Sequence, residues 1–297
     1  MARMSTPSSP PTLPRSGRLV HVKAPRVDRS EPALRDAVVR LRAMHEPAQW
    51  QAATLALMLK PGSKRERAAW FEGVPGLVDA ERLLEDVLTL PHTHRLPWFE
   101  TFTRRLAPGP VDPRHELLSA ARRVIAADGM VTQMDQLRWV AMRHLLAGSA
   151  VAPPAAAEME LDDLDIAQAL KVCVFSGFLS HMVPAPDVTL DLSGDESPNQ
   201  SWYDTVIAPW RERITLPPRE RHDIDATLRA LRVLQTLPWM LRPVLVRSWF
   251  ETARSLTEGS MLHPVAADAL RLVCALLDSP LPPELARQYI EVEPTIQ

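Results

Sequence analysis

Glycine is scarce in this 297-residue chain, at 10 residues, and tyrosine and cysteine number two each. So few glycines exclude glycine-rich phosphate loops of the Walker or dinucleotide-binding kind, and they argue against a sheet built from many tight hairpins. Cys173 and Cys274 make no disulfide framework and fit a reducing compartment, so a cytoplasmic location is expected. No apolar run reaches the roughly 18 residues that span a bilayer; the most apolar stretch, 169–179, is shorter and contains Lys171. An excess of one charge is also missing. With 34 basic and 36 acidic residues the net charge is −2, which gives no global pull toward nucleic acid or anionic lipid. Proline, at 29 residues, is plentiful, and 46% of the chain is hydrophobic, enough to bury a large core.

The first 27 residues hold no acid, but they do hold Arg3, Arg15, Arg18, Lys23 and Arg26. A transit peptide would need an amphipathic helix here, and Pro7, Pro10, Pro11 and Pro14 forbid one. Residues 1–30 therefore read as a disordered basic arm, either solvated or a tether to an acidic partner or to phosphate.

Beyond Arg29 the spacing turns helical. Leu34, Val38, Leu41 and Met44 form one stripe. Residues 48–60 are apolar nearly all round and must be buried within a bundle, and Pro61-Gly62 stops them. Shorter helices are expected near 64–71, 79–90 and 97–106. The clearest unit is an αα-hairpin. A helix over 114–127 ends at Asp128-Gly129, and Thr132 with Asp135 forms a capping-box start for the next helix, which runs to about Leu146. Residues 149–157 read as a linker, followed by an acidic run and a buried helix ending near His181. Residues 184–200 are polar and acidic and read as a loop. Helices over 218–236 and 241–257 follow, and another restarts at His263-Pro264. The fold expected is all-α, with two helical lobes near 31–148 and 158–290. The second hairpin, broken at Glu258-Gly259, resembles a worn copy of the first; a duplication and two unrelated hairpins with similar ends both fit.

Catalytic motifs are hard to find. His45-Glu46 and His115-Glu116 open the zinc-protease pattern HExxH, but Gln49 and Ser119 stand where the second histidine is required. His92 and His94 lie two apart with no clustered ligand nearby in sequence. Cys173 and Cys274 sit among Val and Leu, where burial raises a thiol pKa and makes it inert. The eight tryptophans mostly follow helical core spacing rather than a basic stripe, so they are not read as a base-stacking surface. The one loop with hard oxygen ligands is 128–135, where Asp128, Thr132 and Asp135 are the candidate metal ligands. Met130, Val131 and Met134 interrupt it, and turn and cap formation explain both carboxylates without an ion.

Some segments are similar to a known family. His45-Glu46-Pro47-Ala48-Gln49 with the 54–59 run, Ile125-Ala126-Ala127-Asp128-Gly129, Ala267-Asp268-Ala269-Leu270-Arg271-Leu272 and Ser279-Pro280-Leu281-Pro282-Pro283 together resemble a family tail. It is the cytoplasmic C-terminal tail of bacterial membrane zinc metallopeptidases related to the CAAX prenyl endopeptidases, with TerB-like (tellurite-resistance) hairpins. The resemblance spans roughly 31–287. The family's transmembrane helices and HExxH are missing here, so it implies no proteolysis. Thr257-Glu258-Gly259 also departs from the Ala-Asp-Gly pattern of the second hairpin. With no convergent nucleophile, base or metal set beside it, the resemblance points to a non-catalytic, freestanding protein-interaction or regulatory module with a protein partner and no cofactor; the charge balance and the hydropathy give the expectation of no nucleic acid and no membrane span. The alternative the resemblance implies is a TerB-like sensor of divalent metal using the Asp128–Asp135 loop. An enzyme whose groups meet only in the fold, around His92, His94 and Asp128, is a third possibility.

Overall fold

A computed structural model describes residues 32–148, 160–187, 197–215, 224–257 and 261–292. The described residues form thirteen α-helices and two short 3₁₀ turns, with no strand, so the chain is all-α as its composition indicates. The 149–157 linker, most of the acidic stretch within 184–200, the Glu258-Gly259 break and the basic arm lie outside the described residues.

α1 (Pro32–Ala43) buries Leu34, Ala37 and Leu41, and its Arg40 grips Asp86 of α4 (Ala80–Thr89) through two bonds of 2.7 and 2.6 Å. α2 (Pro47–Leu57) is buried all round from Ala52 to Leu57. Its alanines let α5 (His92–Leu106) approach closely, and the Trp70 indole of α3 (Lys64–Gly73) donates to Ala52 O at 2.9 Å. α6 (Val111–Ala126) and α7 (Gln133–Ala147) form the expected hairpin. Gly129 takes φ 82°, a left-handed turn where a side chain would be strained, and Thr132 and Asp135 complete the capping box.

After a 3₁₀ turn at Leu161–Asp163 comes α8 (Ile166–Leu179), capped by Asp165 and Gln168. α9 (Pro198–Ile207) corrects the reading of 184–200 as loop throughout: the helix begins within that stretch. Polar Asn199, Gln200 and Ser201 in its first turn mask buried Trp202, Tyr203, Val206 and Ile207 at spacings of one, three and one. α10 (Ile224–Thr236) packs on α8. α11 (Leu241–Ser255) buries Leu241, Leu245, Trp249 and Ala253, which with Leu256 keep a regular helical spacing in the sequence; Leu256 itself lies just past the helix and is exposed. α12 (Pro264–Leu276), buried on nearly every side, lies against α7, and a one-turn helix, α13 (Pro283–Ala286), follows. Trp70, Trp98, Trp202, Trp210 and Trp249 are fully buried, whereas Trp239, in the turn before α11, is half exposed.

α5 differs from its expected start. It begins at His92, so Pro97 lies inside it rather than at its head. Proline has no N–H to give the carbonyl four residues back. That carbonyl, Thr93 O, instead accepts from Ile290 N at 3.0 Å, which fastens the segment after α13 across α5. The two sequence lobes therefore share one continuous core, α7 on α12 and Ile290 on α5.

Candidate functional site

Three polar places stand out. The first is the turn between α6 and α7. Asp128 Oδ1 accepts from Met130 N at 2.8 Å, and its Oδ2 accepts from Lys60 Nζ at 2.8 Å. The same ammonium reaches Met130 O at 2.6 Å, Asp135 Oδ2 at 3.2 Å and Glu66 Oε1 at 3.3 Å. Asp135 Oδ2 also accepts from Thr132 N at 3.0 Å and from the Thr132 hydroxyl at 2.8 Å. The candidate ligands Asp128, Thr132 and Asp135 are thus brought together, but around an ammonium, which supplies the positive charge that an ion would bring. Burial works against the Lys60 charge, yet its bonds to Asp128, Asp135 and Glu66 outweigh this and hold it above the ordinary lysine value. The bond from Lys60, helped by Met130 N–H, holds Asp128 below the usual carboxylate range, while burial pushes Glu66 up. Lys60 is 68 residues from Asp128, and no local spacing links them.

The second is a belt between α5, α7, α12 and the residues after α13. His92 Nε2 lies 2.9 Å from Asp268 Oδ1, off the line of a hydrogen bond, and Tyr289 Oη donates to that oxygen at 3.0 Å. Arg138 Nη2 donates to Asp268 Oδ2 at 3.2 Å. Arg271, buried and stacked 4.6 Å from the centre of the Tyr289 ring, binds Glu100 and Glu291. Of the three residues considered for a fold-made active site, His92 meets Asp268, His94 is buried beside Thr93 Oγ1 at 3.2 Å, and Asp128 belongs to Lys60. Those three do not converge. No three His, Cys, Asp or Glu side chains among the described residues are grouped to hold a metal ion.

The third is an open groove of about 740 Å³ between α2, α6 and the segment joining α3 to α4. Its floor is apolar, formed by buried Leu55, Leu117 and Ala120. A Cβ on Gly73 would sit 3.8 Å from Leu55 Cδ1 and 3.9 Å from Ala120 Cβ, so the chain lies directly on that floor. The rim carries Glu46, Glu72 and Glu116 against one cation, Arg123, with His115 among them. Glu46 also caps α2, but Glu72 and Glu116 are exposed and bond no described residue. A second recess, of about 500 Å³, shares Leu77 with the groove and is edged by Asp79, Glu81 and Glu85 against Arg82. The groove collects the acids of both His-Glu dipeptides. Only tertiary packing brings 46, 72 and 116 to one rim, and the Gly73-to-Val78 loop that shapes it carries no chemical motif.

No protein-family model, no curated protein and no solved structure matches this chain. The groove, the lysine-centred turn and the belt therefore have to be read on their own chemistry.

Proposed function

We propose that this chain is a non-catalytic protein-interaction module and that the groove beside α2 and α6 is its contact surface. The observation that carries the reading is the pairing of an apolar floor with exposed carboxylates, Glu72 and Glu116, that bond nothing else in the described structure. Exposed acids beside an apolar floor suit a peptide that mixes cationic and aliphatic side chains: the aliphatic groups gain by leaving water, and the charges set orientation and partner choice. The other polar clusters pair most of their charges internally, Lys60 with Asp128, Asp135 and Glu66 and Arg271 with Glu100 and Glu291, and read as framework. The resemblance to a metallopeptidase tail is in keeping with this, since the likeness covers no catalytic motif of that family.

Selection of peptides from a random display library on the full chain tests the proposal. The expected outcome is enrichment of sequences that combine Lys or Arg with Leu or Val, with binding lost in the double variant Glu72→Lys/Glu116→Lys. Enriched peptides indifferent to that variant would remove the groove from the reading. Zinc-dependent hydrolysis of unfolded proteins or peptides by the purified chain would end the non-catalytic assignment itself.

A further inference from the structure

We infer that the groove's resident occupant is the chain's own basic arm, through residues 18–27, so that an outside peptide has to displace it. The inference rests on the groove being a peptide-contact surface.

Three observations carry it. The first is complementarity of type. Arg18-Leu19-Val20-His21-Val22-Lys23-Ala24-Pro25-Arg26-Val27 sets Leu19, Val20, Val22 and Val27 among three cations, with no acid before Asp28. That is the composition an apolar floor under a carboxylate rim selects. The second is complementarity of charge along a path. The groove sets three carboxylates against one guanidinium, and the adjoining recess sets Asp79, Glu81 and Glu85 against Arg82, so the acidic surface runs on toward α4, the helix on which α1 packs. The third is reach. The described chain begins at Pro32, the head of a 12-residue α1 about 18 Å long, and only three residues separate the end of that helix from α2, whose cap Glu46 is on the rim. Ten peptide steps from Val22 to Pro32 extend to about 33 Å, more than the helix they must run back along.

Tethering does the rest. A segment held this close is present at an effective concentration of about a millimolar, so even a weak contact fills the groove until a stronger ligand competes. The absence of acids in the first 27 residues then has a use: any carboxylate there would be repelled by the rim.

A nitroxide at Ser119→Cys, an exposed groove position, reads this out in the full chain, since both native thiols are buried. The expected result is paramagnetic broadening of the ¹⁵N amides of 18–27 several-fold greater than that of 2–12, abolished in Glu72→Lys/Glu116→Lys. In a mixture of ¹⁵N chains lacking the nitroxide with unenriched nitroxide chains, no broadening is expected. Broadening in that mixture would assign the occupant to a second copy and overturn the inference. So would uniform broadening along the arm, or broadening unchanged by the charge reversal. The arm and the groove fail separately. A library-selected peptide that binds the wild-type chain and an Arg18→Glu/Lys23→Glu variant equally, without moving the arm's signals, leaves the groove as a contact surface and removes the arm. The arm's occupancy predicts instead that the peptide binds the arm variant several-fold more tightly.

Discussion

Arg271 and Glu100, 171 residues apart, are joined by two N–H···O bonds of 2.9 and 3.1 Å, with both side chains closed off from solvent. This pair ties α12 to α5, and Glu291 adds a second carboxylate from the chain after α13. Arg271→Ala is expected to lower stability by about 3 kcal/mol, because it leaves the buried Glu100 carboxylate with only the largely exposed Arg104, at 3.3 Å, as counter-charge. Glu291→Ala, at a side chain 56% exposed, is expected to cost about 1 kcal/mol or less. Urea unfolding of the two variants checks this: similar losses in both would show that the buried pair is not what joins these elements.

Lys60 stands where a cation would sit between Asp128, Asp135 and Glu66. Calorimetric titration of the wild-type chain with calcium, zinc or manganese should therefore give no saturable heat. Saturable binding that disappears in Asp128→Ala would instead favour the metal-sensing role for this loop. Lys60→Met is expected to cost about 2–4 kcal/mol, since Glu66 and Asp135 remain buried without their counter-charge. A thermal melt unchanged in that variant would contradict it.

Burial holds the His94 imidazole below its ordinary value, and burial together with neighbouring His92 does the same to His263. For a base with a depressed folded pKa, the unfolded state takes up the proton first. Stability is then complete above the unfolded value near 6.5 and declines as pH falls below it. The urea midpoint should be lower at about pH 5.5 than at about pH 7.5, and His94→Gln should flatten part of that slope. A midpoint that rises on acidification over this range would contradict the sign.

Burial pushes the thiols of Cys173 and Cys274 up to about 11 and about 12. Neither should react with a disulfide reagent at neutral pH in the native chain, and both should react once urea unfolds it. Fast native labelling of either would mean that α8 or α12 opens readily.

Much was legible from local spacing. The α6–α7 hairpin, its Gly129 turn and the Thr132–Asp135 box follow from residues within four positions of one another, and so does the buried stripe of α11. α5 starts five residues before its local spacing indicates and α9 is not legible locally at all, because proline and polar residues mark helix ends statistically. In α5 a distant backbone donor, Ile290 N, relieves the carbonyl that Pro97 cannot serve. In α9 the buried Asn199 side chain donates to Ser180 O at 2.6 Å and Ala185 O at 2.7 Å, holding a polar first turn against the core.

The sequence by itself determined that this protein is helical, because apolar side chains recur at helical pitch and glycine is too rare for alternatives. It also determined that Asp128, Thr132 and Asp135 share one turn and that the first 27 residues are cationic. Only the tertiary structure decided what those groups meet: Lys60 for Asp128 and Asp135, Asp268 for His92, Glu100 for Arg271, and a shared rim for Glu46, Glu72 and Glu116. The physical reason is range. Helix formation is decided over a few residues, whereas a charge finds its partner through space, and the packing of helices far apart in the chain sets which partner that is.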